Sequence, residues 1–206
     1  MSACKQSLRP ARCSIIQLVP KNMAAYRIFV LSLLSIGFAF SNNANANDLI
    51  WQVNVGEGQQ SNSEQDNRMS GVDLIFYQHS RSERQEFVIG VGYTDIHTNA
   101  GFNENVQAVS IFPQLNLYGK GNKSVRPMFF VRALGPTWLS SRYLGDREQG
   151  RQFAFQAQVG AGLWFGKNKD WLVSLSYKHF SNAGLFSPNE AFDVPLLFTV
   201  GYKQQR

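Results

Sequence analysis

The sequence feature that most limits how this chain can fold is a series of eight segments in which apolar and polar residues alternate. Side chains of a β-strand point alternately to opposite faces, so this pattern predicts strands with one apolar and one polar face. The clearest segment, 153–165, alternates Phe, Ala, Val and Leu with Gln and Gly, and no helical pattern competes with it. The remaining segments are 49–55, 71–78, 86–94, 106–118, 126–134, 171–181 and 192–202.

The connections between these segments alternate in length. The long ones are 56–70, 95–105, 135–152 and 182–191, and the short ones are 79–85, 119–124 and 166–169. A soluble barrel or sandwich with an apolar interior and a membrane barrel with an apolar exterior both accommodate such strands. Long extracellular loops alternating with short periplasmic turns are typical of outer-membrane barrels. We therefore predict an all-β fold, an eight-stranded antiparallel up-and-down transmembrane β-barrel with both termini in the periplasm.

The polar faces of the segments predict a narrow, polar lumen, because Gln and Gly oppose Phe and Val. Pro113 predicts a bulge or an irregular pairing, since proline cannot donate a ladder hydrogen bond. Aromatic residues near segment ends, including Trp164, Trp171 and Tyr202, lie where interfacial girdles form in membrane barrels, although ordinary packing is the commoner role of any one of them.

The first 46 residues have the composition of an export signal. Lys21 and Arg27 precede the apolar run Ile28 to Phe40, and Ala44-Asn45-Ala46 offers the small residues that a signal peptidase reads, with cleavage after Ala46. Residues before Met23 form either a long n-region or an upstream extension, and we favour the extension. The expected organisation is an extension at 1–22, a signal peptide at 23–46 and an outer-membrane β-barrel at 47–206.

Removal of this leader changes the charge of the chain. The leader holds five of the twenty basic residues and none of the fourteen acidic ones, so the net charge falls from +6 to +1. A nucleic-acid partner therefore has no electrostatic basis. Both cysteines, Cys4 and Cys13, also lie in the leader, which excludes disulfides, cysteine-ligated metals and cysteine catalysis from the mature chain.

The segment that begins at Trp171 carries an imidazole and a hydroxyl at the end of its apolar face. His179 and Ser181 share that face, and the predicted topology places them toward lipid in the outer leaflet, where lipopolysaccharide resides. A neutral imidazole can take the proton of a serine hydroxyl, and a carboxylate on its other nitrogen fixes the tautomer. Asp193 and Glu190 are the nearby candidate acids. A His-x-Ser pair alone is more often an interfacial histidine and a loop serine.

The wider string is more specific. His179-Phe180-Ser181-Asn182-Ala183-Gly184, followed by Pro188-Asn189, resembles the signature of the outer-membrane lipid A 3-O-deacylase family, the PagL type. The resemblance implies a serine esterase that removes the ester-linked 3-hydroxyacyl chain from position 3 of lipid A. By that motif Ser181 is the nucleophile and His179 the general base. No metal or other cofactor is implied, since a hydroxyl nucleophile and an imidazole base suffice.

The acid departs from the family pattern. The family has a glutamate fourteen residues after the histidine, and that position is Asp193 here. The shorter side chain leaves Glu190 as an alternative, and we favour Asp193. Period two places Asp193 opposite Val194 and Leu196, toward the lumen, unless a bulge before Pro195 turns it.

Ester hydrolysis also needs hydrogen-bond donors for the oxyanion. The candidates are the Asn189 amide and the backbone N–H groups of Ala183 and Gly184, while Asn182 would orient the loop or the substrate. Ordinary turn chemistry is the alternative role of Asn189. The expected partners are lipid A or lipopolysaccharide as substrate and the outer membrane, and the sequence leaves open whether the barrel forms a homodimer.

Two other functions fit the barrel pattern. One is a non-enzymatic adhesin or structural outer-membrane protein, and the other is a different lipid-modifying barrel, such as a phospholipase or an acyltransferase. Neither explains the string at 179–189. Arg142, Arg147 and Arg151 lie in the third long loop, where they would either contact lipid A phosphates or be solvated. His79 and His97 have no partner at metal-ligand spacing.

Overall fold

The structure, a computed structural model, describes residues 48–205. The predicted extension, signal peptide and cleavage site lie outside the described residues. The strands are β1 (Leu49–Gln59), β2 (Asp66–Ser82), β3 (Gln85–Thr98), β4 (Asn105–Tyr118), β5 (Val125–Leu139), β6 (Tyr143–Leu144), β7 (Arg147–Glu148), β8 (Phe153–Phe165), β9 (Trp171–Ser181) and β10 (Phe192–Gln204). Within residues 48–205 there is no helix with the length and apolar character needed to span a membrane.

Eight of these strands form a closed antiparallel barrel, in which each strand pairs with the barrel strands before and after it in sequence. Closure is made by β1 and β10, which pair from Leu49 with Gln204 to Glu57 with Leu196. Every barrel strand therefore has two neighbours, and no edge leaves backbone groups unpaired. The predicted eight-stranded up-and-down barrel is confirmed.

The two faces of the sheet have opposite polarity. Apolar side chains with large exposed fractions cover the outside, among them Val53, Val55, Ile111, Leu115, Phe129, Val131, Leu163, Leu175, Phe198 and Val200. Buried polar side chains fill the middle of the lumen, among them Gln52, Asn54, Gln114, Asn116, Gln156, Gln158, Ser174 and Thr199. An apolar outside and a polar inside define a membrane barrel, and a soluble barrel would have the reverse arrangement.

An ion pair closes the middle of the lumen. Arg132 Nη1 donates to Asp73 Oδ2 at 2.9 Å, and the two side chains are each 1% exposed. Arg132 Nε and Nη2 also donate to Gln114 Oε1 at 3.0 and 2.9 Å, and the guanidinium lies 3.4 Å from the centre of the Phe112 ring. Gly90 leaves room for that ring, because a Cβ at this position would lie 2.5 Å from Phe112 Cζ.

Apolar clusters occupy both ends of the lumen, so the predicted polar interior is correct only for its middle. One cluster at the end near the long loops includes Phe180, Phe192 and Leu139. The cluster at the opposite end includes Met128 and Trp164. Trp164 is 5% exposed and points inward, so this residue does not belong to an interfacial girdle, whereas Trp171 and Tyr202 are exposed outside and pack against each other.

Several strands extend beyond the predicted ends. Most of the segment 56–70, predicted as a loop, continues the hairpin of β1 and β2, and β6 and β7 form an additional short hairpin inside the segment 135–152. The irregularity predicted at Pro113 occurs on its β5 side, between Ser110 and Gln114, while the pairing with β3 runs through Pro113 without a shift. The pairing between strands thus continues into polar segments, in which apolar and polar residues do not alternate as they do within the membrane.

The buried ion pair generates a prediction on stability. We expect Arg132→Ala to lower the free energy of unfolding by about 3–5 kcal/mol, because it leaves the Asp73 carboxylate buried and unpaired. Urea titration of the refolded barrel in lipid vesicles, followed by tryptophan fluorescence, measures the change. The exposed Arg81→Ala is the control and should change the free energy by less than about 0.5 kcal/mol. Equal effects of the two substitutions would contradict the structural role of the pair.

Candidate active site

His179 and Asp193 are directly opposite each other on the paired strands β9 and β10. The distance from His179 Nδ1 to Asp193 Oδ1 is 2.7 Å. When Nδ1 donates to the carboxylate, Nε2 carries the lone pair and can accept a proton. The imidazole side chain is 32% exposed on the outer face of the barrel.

A bulge in β10 turns Asp193 toward this imidazole. Between the pairs formed by Val194 and Leu197, β10 advances three residues while β9 advances two. The extra residue reverses the alternation, so Asp193 shares the face of His179 and Val194 is fully buried. Simple period two is therefore wrong for both residues. The register shift lies at Pro195, where the sequence suggested that a bulge could turn the carboxylate.

Two further side chains hold the Asp193 carboxylate. Tyr177 Oη donates to Oδ1 at 2.5 Å, and Gln60 Nε2 donates to Oδ2 at 2.9 Å. Gln60 Oε1 in turn accepts from the Asp193 backbone N–H at 2.9 Å and from Asn67 Nδ2 at 2.7 Å. Asp193 is consequently 2% exposed and is fixed by bonds to both of its carboxylate oxygens.

These partners are residues that sequence reasoning did not assign to the site. Tyr177 lies two residues before His179 on the same face, so its position was available from period two. Gln60 is 133 residues from Asp193 in sequence and lies in a segment predicted as a loop. Only the closure of β1 against β10 brings it to the carboxylate.

Glu190, the alternative acid, is directed elsewhere. Its Oε2 accepts from the Glu148 backbone N–H at 2.7 Å, and its own N–H donates to the Glu148 carbonyl at 3.0 Å. Glu190 therefore ties the loop after β9 to β7. The structure brings Asp193, and not Glu190, into contact with the imidazole.

Ser181 is the last residue of β9 and lies on the same face as His179. It pairs with Phe155 of β8 and is partly exposed. Among the described residues its hydroxyl makes no hydrogen bond to another side chain, so no such bond holds it away from the imidazole. The strand thus places the imidazole and the hydroxyl on one face, two residues apart.

Asn182 organises the loop that follows, and its side chain is not exposed. It is fully buried, and its side-chain amide donates to the carbonyls of Phe186 and Pro188 at 2.7 and 3.0 Å. Its backbone N–H donates to Asn189 Oδ1 at 2.8 Å and to Gln149 Oε1 at 3.0 Å. Gln149, another residue that the sequence did not suggest, joins this loop to the loop before β8.

The candidate oxyanion donors lie in the loop that follows Ser181. Ala183 and Gly184 have φ of 55° and 75°, and Leu185 N–H closes the turn on the Asn182 carbonyl at 3.1 Å. A Cβ on Gly184 would meet nothing within 4 Å, so glycine serves the backbone conformation here and not a close contact. Asn189 is exposed, and since its Oδ1 binds Asn182, its Nδ2 is the end left to donate outward.

The three loop arginines have different environments. Arg142 forms an ion pair with Glu148 at 3.2 Å, and Arg147 lies 3.7 Å from Asp146 and donates to a backbone carbonyl. Arg151 is exposed and stacks 4.5 Å from the centre of the Phe186 ring, in the loop beside Ser181.

The histidines outside the site are not clustered with metal ligands. His97 contacts Asp95 at 3.2 Å on an exposed strand end, and His79 lies opposite Phe87. Within residues 48–205 no three His, Cys, Asp or Glu residues are arranged to hold a metal ion.

Comparisons with known proteins agree on one family. The family model described as lipid A 3-O-deacylase (PagL) matches residues 49–203. The chain is 31% identical over 87 residues to lipid A deacylase PagL of Pseudomonas aeruginosa, covering 42% of this chain and 49% of that protein. It is 34% identical over 67 residues to lipid A deacylase PagL of Bordetella bronchiseptica, covering 32% and 36%. These alignments thus span about half of the relatives' length or less.

Solved structures show the same fold at lower identity. The crystal structure of the outer membrane enzyme PagL is 22% identical with a TM-score of 0.52, covering 78% of this chain and 100% of that chain. Neisserial surface protein A (NspA) is 14% identical with a TM-score of 0.50, covering 77% and 98%. Both likenesses support the eight-stranded barrel fold.

Proposed function

The chain belongs to the lipid A 3-O-deacylase (PagL) family, and we propose that it removes the ester-linked 3-hydroxyacyl chain from position 3 of lipid A. The observation that carries this proposal is the 2.7 Å contact between His179 and Asp193 on the lipid-facing side of the barrel. Ser181, on the same face two residues further, supplies the nucleophile. The protein is then an ester hydrolase of the outer membrane whose site faces the outer leaflet.

The chemistry follows from the tautomer that Asp193 imposes. His179 Nε2 takes the proton from Ser181 Oγ as that oxygen forms a bond to the ester carbonyl carbon. Asp193 stabilises the imidazolium, which then protonates the sugar oxygen as its bond to the acyl carbon breaks. Water, deprotonated by the same imidazole, hydrolyses the acyl–serine and releases the 3-hydroxy fatty acid. The serine and the neutral imidazole are regenerated.

The loop after Ser181 supplies donors for the negative oxygen of each tetrahedral intermediate. The candidates are the N–H groups of Ala183 and Gly184 and the Nδ2 of Asn189. A donor already directed at this oxygen contributes about 3 kcal/mol to catalysis. Asn182 acts through them as a positioning residue, because it binds Asn189 and two carbonyls of the loop.

The bulge explains how an aspartate, which is shorter than the family's glutamate, can reach the imidazole. Directly opposite residues in an antiparallel pair have their Cβ atoms about 5 Å apart, which an aspartate and a histidine can bridge. Gln60 and Tyr177 then act as positioning residues that hold the Asp193 carboxylate in the plane required by the imidazole. The family match favours this activity over the adhesin and phospholipase alternatives.

The first test is the nucleophile. Expression of the full chain in a Gram-negative host should remove one 3-hydroxyacyl chain from lipid A, detected by mass spectrometry, and Ser181→Ala should abolish that loss. Ser187→Ala, an exposed serine in the same loop, is the matched control and should retain activity. Deacylation by a folded Ser181→Ala variant would exclude Ser181 as the nucleophile.

The second test separates the two candidate acids. Asp193→Ala should lower kcat by about 10⁴-fold, the scale expected when the imidazole loses its orienting carboxylate. Glu190→Ala should lower it less than about tenfold, since Glu190 only ties the loop to β7. Assays of both purified variants on the same lipid A substrate, with heat-modifiable gel migration as the folding control, measure this. A larger loss for Glu190→Ala would reassign the acid.

The third test concerns Gln60 as a positioning residue. Gln60→Leu removes two hydrogen bonds to Asp193, and at about 1 kcal/mol each we expect kcat to fall about 30-fold with little change in KM. The neighbouring exposed Gln59→Leu is the control and should leave both constants unchanged. A loss confined to KM would indicate a role in substrate binding instead.

A further inference from the structure

The two ends of the barrel carry opposite charge. The three short turns together with the adjoining strand ends, 79–86, 119–126 and 166–170, hold seven basic and three acidic residues. The segments at the opposite end, 57–68, 95–105, 140–152 and 182–193, hold four basic and nine acidic residues. The end with the short turns is therefore strongly positive, although the mature chain as a whole is nearly neutral.

Part of this positive charge lines a concave site, which we name the basic cleft. The cleft has a volume of about 590 Å³ and lies where the three short turns meet. Its lining residues are Glu83, Arg84, Gly119, Lys120, Gly121, Arg126 and Lys169. Four cations and one carboxylate thus face a single open space.

Local contacts shape the turn that carries Lys120 and hold the side chain of Arg126. Asn122 Oδ1 accepts from the N–H groups of Ser124 and Val125 at 2.9 and 2.7 Å, which shapes the turn that carries Lys120. Arg126 lies 3.9 Å from the centre of the Tyr118 ring and donates to the Glu83 carbonyl. The guanidinium is therefore held at the cleft by contacts that leave its charge without a carboxylate.

The cations of the basic cleft are not neutralised within the protein. In the described part of the chain, no ion pair joins Arg84, Lys120, Arg126 or Lys169 to a carboxylate. Lys203, outside the cleft, contrasts with them because its Nζ lies 4.0 Å from Asp48. A group of unpaired cations around a cleft attracts an anion, and phosphate is an anion that both Arg and Lys bind.

The cleft also lies at the level of lipid headgroups. Exposed apolar side chains of the outer face continue to the turns that form it, namely Leu117, Phe129, Phe165 and Trp171. Acyl chains cover these side chains, so the headgroups of the same leaflet lie beside the basic cleft. We propose that the cleft binds the headgroup phosphate of an anionic glycerophospholipid in the periplasmic leaflet.

The test measures binding of short-chain phosphatidylglycerol to the folded barrel in a neutral detergent, by native mass spectrometry or calorimetry. Phosphatidylcholine of the same chain length and inorganic phosphate are the comparison ligands. We expect tighter binding of phosphatidylglycerol than of either. Lys120→Gln combined with Lys169→Gln should weaken that binding about tenfold or more, since each cation near an anionic headgroup contributes severalfold.

The matched control is Arg81→Gln combined with Lys123→Gln, which removes the same charge from the same end but outside the cleft lining. It should weaken binding less than about threefold. Equal weakening by both double variants would mean that the positive end of the barrel attracts the lipid without a defined site, and would overturn the proposal. Equal binding of phosphatidylcholine, or equally tight inorganic phosphate, would also overturn the proposal. Deacylase activity is not the readout, so this result and the catalytic tests are independent.

Discussion

The structure depends on one constraint, that a backbone surrounded by lipid must find all of its hydrogen bonds within the protein. Closure of β1 on β10 satisfies this constraint, and it also determines which side chains meet. In a closed ladder a residue cannot move along its strand without breaking many bonds, so cross-strand neighbours are held at fixed distances. The contact between His179 and Asp193 is such a neighbour pair. The closed barrel that meets this membrane constraint therefore also holds the pair in place, as the proposed role of His179 as a base requires.

The candidate site lies at the bulge in β10, where the regular strand pairing is interrupted. Below Pro195 the outward positions of β10 carry apolar side chains for lipid, and above it the outward position carries a carboxylate. One extra residue produces this change. Beyond the bulge, the side chains of Gln60 and Asn67 take over hydrogen bonds to Asp193 that a neighbouring backbone would otherwise make. The irregularity and the polar site are thus one feature.

The alternation of apolar and polar residues correctly predicted the features that depend directly on it. The number of barrel strands, the bounds of β8 and β9 and the outward direction of His179 followed from alternation. Predictions from alternation failed where a bulge or the closure of the barrel sets the geometry. The residues around Val194 alternate in sequence across the bulge, so the bulge leaves no signal in the pattern. The ends of β1 and β2 are polar on both faces, so they have no alternation that would predict a strand. Gln60 reaches the site only through closure, which no local pattern reports.

The outward direction of His179 and Ser181 has a consequence for the kinetics of the proposed deacylation. A pocket inside a soluble enzyme samples substrate by its concentration in water. A site on the lipid-facing wall of a barrel samples it by lateral diffusion, so the relevant quantity is the fraction of the surrounding lipid that is substrate. Turnover then changes when unreactive lipid dilutes the leaflet, even if the total amount of substrate per volume of solution stays the same.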